Sequence, residues 1–285
     1  MIEPAALRAR YRADKAALMT SLATSGAATR GIGTLLRKIS ALTDTTLKTL
    51  WQQAGFTEPF ALLAVGGFGR GDLFPHSDID VLVLLPDDQS PDQDNSLRAQ
   101  LEGFIGSCWD AGLEIGSSVR SVSDCLSEAA KDVTVQTSLL EARLITGSQT
   151  LFADFQKSYF AAMDPEAFFI AKTLEMQQRH NKFEDTPYAL EPNCKESPGG
   201  LRDLQTILWV AKAAGLGSDW NALAKAGLAT AFELKQLKRN EAMLMLIRAR
   251  LHLLANRRED RLVFDLQNSV AQSFGYHPPD PSTDQ

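Results

Sequence analysis

The stretch AVGGFGRGDLFPHSDIDVLVLL, from Ala64 to Leu85, constrains the fold more than any other part of the chain. The apolar run "FALLAVG" overlaps its start, and "IDVLVLLP" closes it, stopped by Pro86. Both have the length and residue types of buried strands. Between them lies a turn holding Gly66, Gly67, Gly69 and Gly71. Glycine permits positive φ and close backbone approach, and successive N–H groups in such a turn make a concavity for anions. Two familiar phosphate fingerprints fail here. Asp72 follows Gly71 where a P-loop has lysine, and the order Gly67, Gly69, Asp72 breaks the dinucleotide-binding spacing. On the glycines alone, a tight strand-to-helix turn is the better account.

Asp78 and Asp80 change that balance. Residues i and i+2 of a strand share a face, so the two carboxylates lie together while Ile79, Val81, Val83 and Leu85 turn toward a core. Two like charges so close repel, and one tends to protonate. A divalent cation removes the conflict, and magnesium takes one or two carboxylates plus phosphate and water oxygens. With the glycine turn upstream and Ser77 adjacent, a metal–phosphate site is favoured over a pair of solvated aspartates.

The rest of the chain frames this unit. A length of 285 residues suits about two domains with a sizeable core. Pro4 to Ser25 and "TRGIGTLLRKISALTDTTLKTLWQQAGF" read as helices, and "PDDQSPDQDN" as a solvated loop. Ser96 to Trp109 reads as helix, "GLEIGSSVRSV" as a third strand, and "SDCLSEAAKD" and "TVQTSLLEARLITG" as helices, the last ending on Gly147. Beyond residue 150 every periodic segment is helical. The expected organisation is α+β: a helical lead-in at 1–57, a small α/β unit at 58–148, a helical domain at 149–271, and a Pro-rich linker or end at 272–285.

Composition excludes several classes. The net charge of -6 argues against a nucleic-acid footprint, which needs a basic face. No apolar run approaches the ~18 residues of a membrane span, and the N-terminus lacks a secretory core, so a cytoplasmic protein is expected. Cys108, Cys125 and Cys194, with His76, His180, His252 and His277, show neither a disulfide framework nor zinc-ligand spacing. Cys194 is read as non-catalytic, Trp209 as helix core, and the basic-rich stretch from Lys235 to Arg261 as a solvated helix face. In "EPNCKESPGGLRD", Lys195, Glu196, Arg202 and Asp203 flank a Pro-Gly-Gly turn that opens a helix. A helix start attracts anions, so Lys195 and Arg202 either meet nucleotide phosphates or belong to an ion-paired loop.

"GGFGRGDLFPHSDIDVLVL" resembles the signature of the DNA polymerase beta-like nucleotidyltransferase superfamily. More narrowly, it is similar to the bifunctional uridylyltransferase/uridylyl-removing enzymes that modify the PII nitrogen signal protein. "GLEIGSSVRSVSDC", "DVTVQTSLLEARLITG" and, most specifically, "LEPNCKESPGGLRDLQTILWVAK" support the narrower likeness, which covers roughly residues 58–215. Ser117 departs from it, since many relatives have histidine there.

The resemblance implies a polymerase beta-like sheet domain flanked by helices. It implies transfer of UMP from UTP to a tyrosine hydroxyl of PII, with pyrophosphate leaving. The turn at Gly66, Gly67 and Gly69 would hold the β,γ-phosphates, with Ser77 beside it. Asp78 and Asp80 would bind two Mg²⁺ ions, with Mn²⁺ as an alternative. Arg70 would add charge near the triphosphate or hold the turn by a salt bridge. Such sites usually have a third carboxylate on a neighbouring strand. Glu114 is the expected one, with Asp124 and Asp132 as alternatives.

No histidine here is followed by aspartate, and there is no length for glutamine-sensing domains. The expectation is therefore an N-terminal transferase part alone, truncated or from a longer protein, without hydrolysis or glutamine control. Rivals are an adenylyltransferase of glutamine synthetase, a non-catalytic nucleotide-sensing module, and a polymerase or tRNA nucleotidyltransferase, the last disfavoured by the acidic charge.

Overall fold

The structure is a computed structural model and describes residues 3–26 and 28–276. It opens with two antiparallel-packed helices, α1 (Pro4–Ala23) and α2 (Ile32–Gln53). Pro4 starts α1, where its missing N–H costs nothing. In α2, Leu36, Ile39, Leu47, Leu50 and Trp51 recur at helical spacing and are all buried.

Four strands follow: β1 (Ala61–Ala64), β2 (Ile79–Leu85), β3 (Ile115–Ser121) and β4 (Arg143–Gly147). They form one sheet in the order β3-β2-β1-β4. β1 is antiparallel to both β2 and β4, and β2 is parallel to β3. A parallel neighbour needs a crossover, and α4 (Asn95–Asp110) supplies it, with Asp94 capping its first N–H groups. The one-turn helix α3 (Gly66–Gly69) joins β1 to β2. α5 (Val122–Lys131) and α6 (Val133–Leu140) lead from β3 into β4.

Both faces of the sheet are covered, so its central strands are apolar throughout rather than alternating. Leu62, Ala64, Ile79, Val81, Val83 and Leu85 pack with α1, α2 and α4, and that cluster continues to Leu201, Leu246 and Ala249. Ala61, Leu63, Leu82 and Leu84 pack on the other side with Cys125, Leu139 and Leu140. This second core also takes in α7 (Gln149–Ala162), α8 (Pro165–Lys182) and α9 (Leu201–Ala213), through Phe155, Phe168 and Trp209. After α10 (Trp220–Lys225), the long α11 (Ala231–Ala255) crosses back over the molecule, and α12 (Phe264–Ser273) closes the described chain.

The α+β class and the helix-flanked sheet are as expected. One element differs: "TVQTSLLEARLITG" is not one helix. α6 stops at Leu140, and Arg143–Gly147 becomes the edge strand β4. Pairing of Ala61 with Gly147 and of Ala64 with Arg143 decides this, overriding the local pattern. The linker expected at 272–285 lies mostly outside the described residues. Among the described residues no helix is long and apolar enough to cross a membrane.

Candidate active site

α3, the start of β2, α6, the middle of α8 and α9 as far as Trp209 surround a cleft of about 340 Å³. Gly66, Gly67, Arg70, Ser77, Asp78, Asp80, Lys195 and Arg202 all line it. The residues singled out in the sequence thus meet in one place, with Gly69 and Glu114 as the exceptions.

α3 explains the glycine turn. A helix of one turn leaves its leading N–H groups unpaired. Among the described residues, the N–H groups of Gly66, Gly67 and Phe68 find no acceptor, whereas those of Gly69 and Arg70 donate back to Val65 and Gly66. Gly66 has φ +56°, and a Cβ there would come within 3.6 Å of both Asp80 Oδ2 and Ser138 Oγ. Gly69 has a different task. It is buried, its N–H is spent, and any Cβ would collide with the backbone carbonyl of Glu141. It packs α3 on the end of α6 and does not face the cleft.

Asp78 stands just before β2 and is exposed, with Oδ2 accepting from Arg258 Nη1 at 2.6 Å. Asp80 is half-buried on β2, and its carboxyl is pushed above the usual range, first by burial and then by the charge of Asp78. Arg258 and Lys195 pull it back. On β3, Gly116 is the partner of Asp80, and a Cβ there would sit 2.8 Å from Asp80 Oδ1. Space is thereby kept open around the Asp80 oxygens on both sides.

Glu114 does not reach this place. It is exposed, precedes β3, and its backbone carbonyl accepts from Ile79 N–H at 3.3 Å. Its charge acts on Lys15 and His76 instead. The alternatives are engaged elsewhere: Asp124 completes the capping box of α5 and Asp132 caps α6. Among the described residues, no group of three or more His, Cys, Asp or Glu is arranged to hold a metal ion. The two aspartates with open space beside them fit a cation that draws its remaining ligands from a phosphate and water.

The loop 191–200 and α9 build the opposite wall. Glu196 pairs with Arg202 at 3.1 Å and with Lys195 at 3.5 Å. Lys195 is largely buried beside Arg248 and Arg202, and burial with these charges pushes its ammonium down to about 8. The ion-paired loop is therefore itself a wall of the cleft. The start of α9 is not open to an anion, contrary to expectation. Leu201 and Arg202 donate their N–H groups to the carbonyls of Cys194 and Lys195, at 3.0 and 2.8 Å. Charge on this wall comes from side chains. Cys194 is buried, its thiol pushed up to about 12 by burial.

Trp209 is buried as expected, yet it also lines the cleft. Lys172, Arg202 and Arg70 gather about its ring at 4.6, 5.3 and 5.7 Å. Arg70 is held by Asp72 at 3.0 Å and Glu141 at 3.3 Å. Glu141, Lys172, Glu175, Arg248 and Arg258 also line the cleft and were not foreseen. The stretch Lys235–Arg261 is not simply a solvated face, because Arg248 and Arg250 are buried and Arg258 reaches Asp78. A lone glutamate in the apolar run "SLLEARLI" was a usable signal for Glu141. For Arg258 the sequence carried none. In all, six basic and six acidic side chains line the cleft. A divalent cation added there leaves a net positive surface suited to a polyphosphate.

Comparisons with known proteins agree with this geometry. A family model described as a nucleotidyltransferase domain matches residues 45–121, the part containing α3 and both aspartates. The fold and this match define a protein of the nucleotidyltransferase class. A second model, described as GlnD PII-uridylyltransferase, matches residues 167–285. The bifunctional uridylyltransferase/uridylyl-removing enzyme of Burkholderia lata is 55% identical over 271 residues, 95% of this chain and 31% of that protein. The enzyme of the same name from Burkholderia vietnamiensis is 56% identical over 272 residues. Over nearly its whole length the chain is thus similar to bifunctional uridylyltransferase/uridylyl-removing enzymes, and it spans 31% of the length of these relatives.

Proposed function

We propose that the cleft transfers UMP from UTP to a tyrosine hydroxyl of the PII signal protein. The new bond joins the tyrosine oxygen to the α-phosphorus, the α–β anhydride breaks, and pyrophosphate leaves. The observation that carries this reading is the convergence of Asp78, Asp80, the unpaired N–H groups of α3 and the basic wall on one cleft.

Asp78 and Asp80 hold divalent cation, Mg²⁺ by preference with Mn²⁺ as a substitute. That cation supplies charge neutralisation and Lewis acidity at the triphosphate. The N–H groups of Gly66 and Gly67 receive phosphate oxygens, with Ser77 at the edge of the same turn. Arg70, Lys195 and Arg202 oppose the charge that builds on the leaving pyrophosphate. Their carboxylate partners hold them in place before the ligand arrives, which lowers the cost of ordering them. An acceptor tyrosine with a pKa of about 10 is a weak nucleophile at neutral pH, so the charge arranged around it matters.

The relatives' names support uridylyl transfer over adenylyl transfer. Paired donor and acceptor competition tests this: UTP against ATP, and PII against glutamine synthetase. Label reaching PII from UTP alone is expected. Label reaching glutamine synthetase from ATP contradicts the reading, and UTP binding without turnover points to a sensing module.

A further inference from the structure

The turn that carries Ser77 and Asp78 is held from the far end of the chain. The backbone N–H of His76 donates to Nδ1 of His252 at 3.2 Å. A backbone N–H only donates, so Nδ1 is unprotonated, and a neutral imidazole then carries its proton on Nε2. That Nε2 lies 3.2 Å from Asp260 Oδ1 and donates to it. Asp260 is fixed from two further directions. Arg248 Nε donates to its Oδ1 at 2.6 Å, and its backbone carbonyl accepts from Cys194 N–H at 2.8 Å. The Arg248 guanidinium also lies 4.0 Å from the Phe74 ring centroid.

His252 has no exposed surface and does not line the cleft. An apolar side chain would fill its place without the cost of burying polar nitrogens. What the imidazole adds is an acceptor on one side and a donor on the other. The acceptor serves a residue two positions before Asp78, and the donor serves Asp260. One buried cluster thus binds together the 74–78 turn, the 191–200 loop and the 256–263 segment, which bring Asp78, Lys195 and Arg258 to the cleft.

We propose that His252 is a positioning residue for Asp78: by accepting the His76 N–H, its neutral imidazole sets the turn that presents the Asp78 carboxylate to divalent cation. This rests on the reading that Asp78 binds a cation. It adds that the geometry of that carboxylate is set by a side chain on α11.

Two substitutions separate the jobs of the ring. His252→Asn places an amide oxygen near the position of Nδ1 and keeps an acceptor for His76. His252→Gln places an amide nitrogen near the position of Nε2 and keeps a donor for Asp260. Both replace the ring with a smaller amide, so comparable losses of melting temperature are expected. Three readouts are taken: hydrogen exchange of the His76 amide, Mn²⁺ affinity by calorimetry, and kcat and KM for UTP. In His252→Gln the His76 amide loses protection, Mn²⁺ binds about tenfold more weakly, as one lost hydrogen bond allows, and kcat falls with KM nearly unchanged. In His252→Asn protection and Mn²⁺ affinity are retained. Equal weakening of Mn²⁺ binding in both variants, or none in His252→Gln, overturns the proposal. Asp78→Asn is the reference. If it abolishes Mn²⁺ binding while His252→Gln leaves binding intact, the positioning role alone fails. If the unmodified protein and Asp78→Asn bind Mn²⁺ alike, the cation-site reading fails with it.

Discussion

Asp80 sets stability against chemistry within a single residue. Burial and the neighbouring Asp78 lift its carboxyl above the unfolded value. A raised carboxyl contributes stability below its unfolded pKa and loses that contribution as pH rises through the folded one. At neutral pH the ionised Asp80 is therefore a cost to the metal-free fold. Asp80→Asn is expected to raise the melting temperature in EDTA by a few degrees while abolishing transfer. A lower melting temperature would contradict this electrostatic account. Gly69 gives the opposite lesson. A methyl there meets the Glu141 backbone, which cannot swing aside as a side chain would. Gly69→Ala is expected to cost about 2 kcal/mol or more through overpacking, read as a drop in denaturation midpoint, with activity lost alongside stability.

Among the elements, the segment between α11 and α12 adds one side chain to the cleft, Arg258, which reaches Asp78. Arg258 pairs with Asp78, and both side chains are at least half exposed; under the proposed cation-site reading it competes with the cation for that carboxylate. An exposed pair contributes at most about 1 kcal/mol to stability. Arg258→Ala is expected to leave folding nearly unchanged, to tighten Mn²⁺ binding several-fold without nucleotide, and to weaken UTP binding. Unchanged affinities for both would remove Arg258 from the site. The strand–turn–strand unit with Asp78 and Asp80 was legible in the sequence because apolar strand runs, the i, i+2 spacing of the two aspartates and glycine chemistry are all local. β4 was not, because its ladder to β1 joins residues far apart in sequence and outweighs a helical pattern. Glu114 was misplaced for the same kind of reason. The parallel register opposes Gly116, not a carboxylate, to Asp80. The link from Arg258 to Asp78 spans 180 residues, and no local pattern announces it.

Across the whole molecule, two partly or fully buried histidines set the response to acid. His252 and His76 both have pKa values held below the usual histidine value of 6.5, burial being the first cause in each. The unfolded chain therefore takes up protons first as pH falls, and stability declines below about 6.5 toward the folded values. Asp260, held well below the usual carboxylate range despite its burial by its bonds to His252 and Arg248, adds a second loss that begins near its unfolded pKa. Denaturation midpoints measured from pH 8 to 5 are expected to fall through the first window, and His252→Asn should flatten part of that fall. A midpoint constant over that range would mean that neither ring is held neutral by the fold.

The most direct test of the central claim is transfer of label from α-phosphate-labelled UTP to PII in the presence of Mg²⁺. The unmodified chain and an Asp78→Asn/Asp80→Asn double variant are compared side by side. The account predicts labelled PII and released pyrophosphate with the unmodified chain, and neither with the variant. Equal labelling by both would contradict it, because the two aspartates would then have no part in the chemistry.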